Sequence, residues 1–162
     1  MREVEGNVWS LARASSVVSR VIIPTNIGWR DSDGRAVMGR GLAMQAKRRY
    51  PELPEWYGEL CRTYRGETGI CLYRELILFP VKPLNPQAPW RSWMGPATLG
   101  LIERSTSQLA LYCPARPTQY LIPPVGCGNG GLELEEVRPI LDRHLGRRDD
   151  MVLVRLPEED VK

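Results

Sequence analysis

The sequence predicts an α/β fold with a largely parallel sheet covered by helices on both faces. Short apolar runs typical of buried strands alternate with longer segments of helical periodicity along the 162 residues. Two glycine-rich loops each follow an apolar run and precede a helical segment, as strand-to-helix connections do in this fold class. The run 151–156 is apolar almost throughout, which is typical of a strand buried on both faces.

The individual elements are placed by apolar spacing and by turn residues. Strands are expected over 4–9, 21–26, 70–73, 75–80, 120–122 and 151–156. Helices are expected over 11–19, over 42–50, from 51 onward, from 95 to about 112, and over 133–145. Ser10 is the expected cap of the first helix. The polar, glycine-flanked segment 28–35 is expected at the surface as a candidate flap.

The apolar faces of two predicted helices give part of the expected core. The helix that begins near 51 carries, at helical spacing, Trp56, Tyr57, Leu60, Cys61 and Tyr64. The helix that begins at Gly95-Pro96 carries Leu99, Ile102, Leu109 and Leu111. We expect both sets to be buried.

Length and composition indicate one domain, expected to span 1–162. A hydrophobic fraction of 43% and a charged fraction of 25% are ordinary for a soluble globular protein. No apolar run approaches the roughly twenty residues that a membrane span needs, and the first residues contain no apolar signal segment. We therefore expect a cytoplasmic protein without membrane association. The net charge of +3 is mild and suits an anionic ligand or transient contact with nucleic acid.

The two glycine loops are the strongest candidates for a ligand site. Residues 123–132 contain four glycines in six positions, and Met38–Gly41 forms a second loop upstream. Without Cβ atoms the backbone can turn consecutive N–H groups toward an anion, and the following helix adds its positive end. The pair suits one diphosphate held between two helix N termini, whereas two plain turns are the alternative. Neither loop matches the P-loop or the dinucleotide-binding fingerprint.

Four separate segments are expected to meet at one edge of the sheet. Asn26, Gly39, Lys82 and Gly126 all follow predicted strands. Ligands of open α/β sheets bind outside the carboxyl ends of the strands, so these residues can share one cleft. The prolines of 80–89 forbid regular structure and are expected to leave Lys82 on a stiff loop. The alternative for Lys82 is an ordinary solvated lysine.

Metal binding and Cys–His catalysis are not expected. Cys61, Cys71, Cys113 and Cys127 are widely spaced and include no CxxC pair. The single histidine, His144, ends a helical pattern, where a cation is favourable.

Five segments, in this order, carry a family resemblance: 5–8, 25–28, 37–43, 79–82 and 123–132. They resemble the macrodomain superfamily and, within it, the DNA ADP-ribosyl glycohydrolase macrodomains. The resemblance implies a three-layer α/β/α domain whose central mixed sheet is largely parallel and whose cleft holds ADP-ribose. It also implies an antitoxin-type hydrolase that removes ADP-ribose from a nucleobase in DNA and so reverses a toxin's modification.

The resemblance assigns roles to particular residues. Lys82 and Asn26 are the expected catalytic residues, with Asn26 in contact with the distal ribose beside Lys82, and Asn7 lies near adenine. The backbones of the two glycine loops hold the diphosphate. The full set expected to bind ADP-ribose is Asn7, Val8, Asn26, Met38, Gly39, Arg40, Gly41, Leu42, Pro124, Gly126, Cys127, Gly128, Asn129 and Gly130. No metal or cofactor is implied.

The expected partners are ADP-ribose or ADP-ribosylated DNA and a cognate ADP-ribosyltransferase toxin, and the expected state is a monomer. The chain departs from the family at Ile23, where an Asn is frequent, and in the length of 28–35. Relatives that act on protein pair the lysine with an Asp in the second glycine loop. Asn129 and Gly130 occupy that region here, which disfavours this pairing.

The chemistry of Lys82 stays open between two roles at this stage. A neutral amine can attack an opened ribose aldehyde and form a Schiff base, or it can move a proton. The alternative functions are a non-catalytic ADP-ribose reader and a hydrolase acting on ADP-ribosylated protein or on ADP-ribose 1''-phosphate. Trp90, Arg91 and Trp93 are candidates for contact with a nucleobase, with packing as the alternative for the tryptophans.

Overall fold

The computed structural model describes residues 1–112, 114 and 116–157, and in this part the chain forms six strands, five α-helices and one 3₁₀ helix. The elements in chain order are β1 (Arg2–Glu5), α1 (Val8–Ala14), β2 (Val18–Asn26), α2 (Gly41–Arg49), α3 (Leu53–Tyr64), β3 (Cys71–Tyr73), β4 (Leu76–Lys82), the 3₁₀ helix (Pro89–Met94), α4 (Leu99–Ala110), β5 (Thr118–Ile122), α5 (Leu134–Leu145) and β6 (Met151–Arg155). Among the described residues, no helix is long and apolar enough to cross a bilayer.

The six strands form one sheet in the order β1-β6-β5-β2-β4-β3. Every neighbouring pair is parallel except β3 and β4, which form an antiparallel hairpin. The predicted largely parallel sheet is therefore confirmed.

Alternate side chains of the central strands supply two separate cores. Val21 and Ile23 of β2 pack on one face with residues of α1, α2 and α3. Ile22, between them in sequence, packs on the opposite face with residues of α4 and α5. Because strand side chains alternate between the two faces, this pattern produces the three-layer α/β/α arrangement.

The paired strands β2 and β4 each contain a proline near the carboxyl end. Pro24 of β2 pairs with Phe79, and Pro80 of β4 pairs with Thr25. Pro80 lies beyond the last residue of β4 that pairs with β3, which is Leu78. One edge of β4 is therefore without a neighbouring strand at Pro80, which is where a strand tolerates a proline.

The prediction for the first two elements was wrong in its details. The first strand ends at Glu5 instead of continuing to Trp9, and α1 begins at Val8. The cap is Asn7, not Ser10, because Asn7 Oδ1 accepts hydrogen bonds from the backbone N–H groups of Trp9 at 2.9 Å and Ser10 at 3.1 Å. These two bonds satisfy donors of the first helical turn, so the helix begins earlier than predicted.

Part of the expected core lies at the surface instead. Tyr57, Cys61, Ile102 and Leu109 are fully buried as predicted. The residues that are exposed, contrary to prediction, are Trp56, Tyr64, Leu99 and Leu111. Leu99 is the first residue of α4 and Leu111 follows its last residue, so both lie at the ends of the helix. The Trp56 ring packs against the Tyr73 ring, with a distance of 4.9 Å between the ring centroids.

His144 has a local structural role. Its Nε2 lies 2.6 Å from Glu103 Oε1, so the ring joins α5 to α4. Cys113 lies outside the described residues. Within the described ranges, no group of three or more His, Cys, Asp or Glu side chains is arranged to hold a metal ion.

Candidate functional site

Two of the predicted site residues lie side by side at the carboxyl edge of the sheet. β2 and β4 pair in constant register up to Thr25, where a β-bulge shifts the register so that Asn26 lies opposite Lys82. The N–H of Ile27 donates to the Lys82 carbonyl at 3.2 Å. Lys82 was expected on a loop, but it is the last residue of β4. The strand therefore fixes the point from which its side chain starts.

The Lys82 amine lies in a partly buried, positively charged environment. Its Nζ donates to the backbone carbonyl of Trp93 at 2.6 Å. Burial lowers the pKa of Lys82, and the nearby Arg40 guanidinium lowers it further. Arg40 lies over the Trp93 ring, 5.6 Å from its centroid. Both causes favour the neutral amine, which is the form that acts as a nucleophile or base.

The Asn26 amide bridges the residues on either side of the loop between β2 and the first glycine loop, Gly28 and Val37. Its Nδ2 donates to the Val37 carbonyl at 2.9 Å, and its Oδ1 accepts from the Gly28 N–H at 3.1 Å. A side-chain amide has two donor hydrogens and two acceptor lone pairs. The Asn26 side chain is therefore held in place while one hydrogen and one lone pair stay available for a hydroxyl group.

The first glycine loop, Met38–Gly41, is open above α2. A Cβ added at Gly39 or Gly41 would meet no atom within 4 Å, and Gly41 has a φ of +57°. No side chain caps the N terminus of α2, so the N–H groups of its first turn have no capping acceptor among the described residues. With Arg40 at the cap position, this terminus favours an anion.

The second glycine loop, 126–131, is braced by its own backbone. Leu132 N–H donates to the Gly126 carbonyl at 3.0 Å, and Ala97 N–H donates to the Gly130 carbonyl at 3.0 Å. A Cβ on Gly130 would lie 2.4 Å from the Gly126 oxygen, so this glycine is required by packing. A Cβ on Gly128 would meet nothing within 4 Å.

The helix after the second loop differs from the expectation. α5 begins after a capping box in which the side chains of Glu133 and Glu136 each accept a backbone N–H of the other residue. Its first turn is therefore closed by carboxylates instead of being open to an anion. Burial raises the pKa of Cys127 to about 11, and Glu133, Glu135 and Glu136 contribute to this increase. The proposed pair of helix N termini is thus reduced to one, that of α2.

Short contacts connect both loops to Lys82. Thr98 N–H donates to the Val81 carbonyl at 3.0 Å, next to the Ala97 bond that holds Gly130. For the first loop, the connection runs through Trp93. The Arg40 guanidinium lies over the Trp93 ring, and the Trp93 carbonyl accepts the hydrogen bond from Lys82 Nζ. Lys82, Asn26 and the two loops therefore lie close together at the carboxyl edge of the sheet.

The remaining predicted binding residues have different environments. Asn7 is exposed and its Oδ1 caps α1, whereas Val8 and Met38 are buried in the core. Four other predicted residues lie in or next to the two glycine loops and are half-buried or exposed: Leu42, Pro124, Cys127 and Asn129. The contacts of Asn7 are all within α1, so its expected place near adenine stays a prediction.

Solved structures identify the fold. The macrodomain of Mycobacterium tuberculosis DarG superposes with a TM-score of 0.67 at 26% identity, covering 96% of this chain and 96% of that one. The fold is that of a macrodomain. A structure of Thermosipho africanus DarTG in complex with ADP-ribose superposes with a TM-score of 0.70 at 22% identity, covering 98% of this chain and 42% of that one.

The macrodomain also has curated relatives. A DNA ADP-ribosyl glycohydrolase of Mycobacterium tuberculosis is 33% identical over 113 residues, which are 62% of this chain and 29% of that protein. The chain thus spans less than a third of the length of this relative. No protein-family model matches the chain.

Two features of the macrodomain's site were missed from sequence. The Trp93 carbonyl holds the Lys82 amine, and the Arg40 side chain, not only its backbone, contributes to the site. One available signal was the composition, because only three of the 22 Lys and Arg residues are lysines. Arginine forms similar ionic contacts but stays protonated. Lys82 is therefore one of only three Lys or Arg side chains of the chain that can readily lose a proton.

Proposed function

We propose that this macrodomain binds ADP-ribose in the cleft and hydrolyses the bond that joins ADP-ribose to a nucleobase of DNA. The observation that carries the proposal is the partly buried Lys82 amine, whose pKa is lowered, opposite Asn26 at the carboxyl edge of the sheet. The names of the curated relatives support the same activity.

The two glycine loops have complementary roles in the proposed complex. The uncapped N terminus of α2 supplies N–H groups and a positive dipole for the diphosphate. The surface of the second loop at Gly128 gives the backbone close access to the ligand. Asn26 uses its free hydrogen and lone pair to orient the hydroxyls of the distal ribose. In the proposed complex the anomeric carbon C1'' lies near Lys82.

Two routes use the neutral Lys82 amine. In one, the sugar ring opens and Nζ bonds to C1'', the bond from C1'' to the base nitrogen breaks, and the base leaves with a proton. Water then replaces Nζ on C1'', which releases ADP-ribose and restores the amine. In the other, the neutral amine takes a proton from the attacking water and then passes it to the leaving base. Both routes are faster at higher pH until Lys82 is neutral, because an amine that starts protonated can neither attack C1'' nor accept the proton of the water. The lowered pKa brings that limit below the usual range for lysine.

The proposal extends to the wider setting of the domain. We expect 1–162 to form one macrodomain that is monomeric and cytoplasmic, and whose biological counterpart is an ADP-ribosyltransferase toxin that modifies DNA. Size-exclusion chromatography coupled to light scattering tests the monomeric state.

The decisive experiment compares Lys82→Ala with Lys47→Ala, a variant that removes a different lysine near the C terminus of α2. Lys82→Ala is expected to lower the rate on an ADP-ribosylated oligonucleotide by about a hundredfold or more, which is the range for loss of a positioned acid or base. Its affinity for free ADP-ribose should stay near that of the parent, because both glycine loops are unchanged. Lys47→Ala should match the parent in both assays.

Borohydride separates the two routes. Added during turnover, it should trap a covalent adduct at Lys82 in the parent and none in Lys82→Arg if a Schiff base forms. Parental activity in Lys82→Ala would reject Lys82 as the catalytic residue. A parent that binds ADP-ribose but hydrolyses neither DNA nor protein conjugates would be a reader.

A further inference from the structure

The segment that follows Lys82 forms an exposed surface with an unusual composition. Residues 83–102 contain no Asp or Glu, although the chain has 19 acidic residues in total. Three large apolar side chains are exposed within ten positions of this segment, with exposed fractions of 39% at Trp90, 64% at Met94 and 40% at Leu99. Arg91 is exposed between the first two. Apolar exposure without acidic groups, next to a cation, fits a ligand that is both aromatic and anionic.

A depression lies within this surface and opens to solvent. Its volume is about 360 Å³, and its walls include Pro83, Leu84, Arg91, Met94, Pro96 and Thr98. This volume is in the range of small-molecule sites, roughly 300–1,000 Å³.

Most polar groups of the depression already have partners. The Ser92 hydroxyl accepts the N–H of Asn85, the Asn85 side chain accepts the N–H groups of Gln87 and Ala88, and Thr98 caps α4. The depression therefore offers apolar contact and the Arg91 charge rather than a set of specific hydrogen bonds.

The depression is next to the reactive amine. Pro83 directly follows Lys82, and Met94 directly follows Trp93, whose carbonyl holds Lys82 Nζ at 2.6 Å. In the proposed complex a base attached to C1'' near Nζ lies close to this wall, and the polynucleotide that carries the base leaves the cleft over one of its sides.

The two sides of the cleft differ in charge. The side formed by the 3₁₀ helix carries Arg91 and, across the Trp93 ring, Arg40. The side behind the second glycine loop carries Glu133, Glu135 and Glu136, all exposed. A polyanion is attracted to the first side and repelled by the second. The neighbouring segment 30–35 is balanced, with two arginines and two aspartates.

We propose that the surface formed by Pro83, Leu84, Trp90, Arg91, Met94 and Pro96, here termed the 3₁₀ rim, binds the DNA strand that carries the ADP-ribosyl group. The modified base enters the depression, its neighbours stack on the exposed apolar side chains, and Arg91 contacts the backbone phosphates. This inference rests on the proposed function, because it names how that same site receives its substrate.

The test measures binding apart from hydrolysis. A fluorescein-labelled, unmodified single-stranded oligonucleotide is titrated with the parent, Arg91→Glu, Trp90→Ala and Arg147→Glu, and anisotropy is followed at several salt concentrations. Arg147→Glu makes the same charge change at an exposed position between α5 and β6, at the other end of the strands. Free ADP-ribose binding is measured for each protein as a control for the cleft.

We expect Arg91→Glu to weaken oligonucleotide binding about tenfold and to reduce the salt dependence by about one phosphate contact, with ADP-ribose affinity unchanged. Trp90→Ala should also weaken binding about tenfold, with a smaller change in salt dependence, because stacking carries its contribution. Arg147→Glu should have a much smaller effect. Equal losses in Arg91→Glu and Arg147→Glu would overturn the proposal.

Steady-state kinetics separate this inference from the proposed function. On an ADP-ribosylated oligonucleotide, Arg91→Glu should raise KM with little change in kcat. If Arg91→Glu hydrolyses the substrate with an unchanged KM, the 3₁₀ rim is not the DNA-binding surface, although the proposed activity is supported. If the parent shows no hydrolysis but binds the oligonucleotide in a manner that depends on Arg91, the proposed activity is rejected and the 3₁₀ rim is supported.

Discussion

The two glycine loops of this macrodomain look equivalent in sequence but differ in what holds them. Loop 38–41 has open space beside Gly39 and Gly41, an uncapped helix behind it and an arginine at the cap position. Loop 126–131 is braced by backbone hydrogen bonds, and the helix behind it is capped by two glutamates. The first loop thus contributes charge and free N–H groups, and the second contributes shape. Glycine content alone therefore shows that the backbone of a loop is free to turn tightly, but it does not show whether the loop exposes N–H groups or packs against other backbone.

The largest expected effect concerns packing in the second loop. Gly130→Ala forces a Cβ to within 2.4 Å of the Gly126 carbonyl oxygen and 2.7 Å of the Ala97 Cβ. Overpacking of this kind costs about 1–3 kcal/mol, so urea unfolding should show a free energy of unfolding reduced by about that amount. Gly128→Ala in the same loop is the control, and its stability should lie within about 0.5 kcal/mol of the parent. Equal stability of the two variants would mean that the loop is not braced as described.

A second substitution tests binding without loss of stability. Gly128→Val adds a branched side chain in open space at the loop surface, so the fold should persist. The side chain blocks the approach of the backbone to a diphosphate, and we expect ADP-ribose affinity to fall by about 2 kcal/mol, roughly thirtyfold. Calorimetry measures the affinity, and Gly39→Val makes the matching change in the first loop. If Gly128→Val bound ADP-ribose as well as the parent, the diphosphate would have to lie elsewhere.

The smallest effect concerns the charge supplied by the first loop. Arg40→Gln removes the cation that helps to lower the pKa of Lys82, so that pKa should rise and the pH–rate profile should move to higher pH. ADP-ribose affinity should fall by about 1 kcal/mol, because a charge at the diphosphate is lost.

NMR of ¹³C-methylated lysines measures the shift directly, because the chain has only three lysines. Arg35→Gln, an exposed arginine of the neighbouring segment, is the matched control. A Lys82 resonance that titrates identically in Arg40→Gln and the parent would remove Arg40 from the electrostatics of the site.

Sequence patterns predicted the largely parallel sheet and the proximity of Asn26 and Lys82. The apolar runs of β2, β4, β5 and β6 are long enough to identify, and the carboxyl-edge rule placed Asn26 near Lys82 before any coordinates. The prediction for the first ten residues was wrong because the pair Gly6-Asn7 is compatible both with a turn between strand residues and with a helix cap. Tertiary packing decides between them, since Trp9 is buried and its indole N–H donates to Gln45 of α2.

The details of the site depended on contacts between distant segments. The Trp93 carbonyl lies eleven positions from Lys82, and a backbone acceptor leaves no signature in the side-chain pattern. The capping box that Glu133 and Glu136 form at the N terminus of α5 was not predicted, because glutamate is not among the preferred N-cap residues. Periodicity likewise could not separate Trp56 from Tyr57, because the face turned to the sheet is fixed by how α3 packs.

The prolines of β2 and β4 have a further consequence for how the molecule moves. The missing N–H groups of Pro24 and Pro80 face the outer sides of this strand pair, where β5 pairs with β2 only up to Val21 and β3 pairs with β4 only up to Leu78. Among the described strands, β2 and β4 therefore pair only with each other near Asn26 and Lys82, whereas Val21 and Leu76 each have a strand neighbour on both sides. Strand ends with few hydrogen bonds open locally, whereas the centre of a buried sheet exchanges its amides only on global unfolding. The edge that bears the site can therefore loosen to admit or release a ligand while the rest of the sheet stays closed.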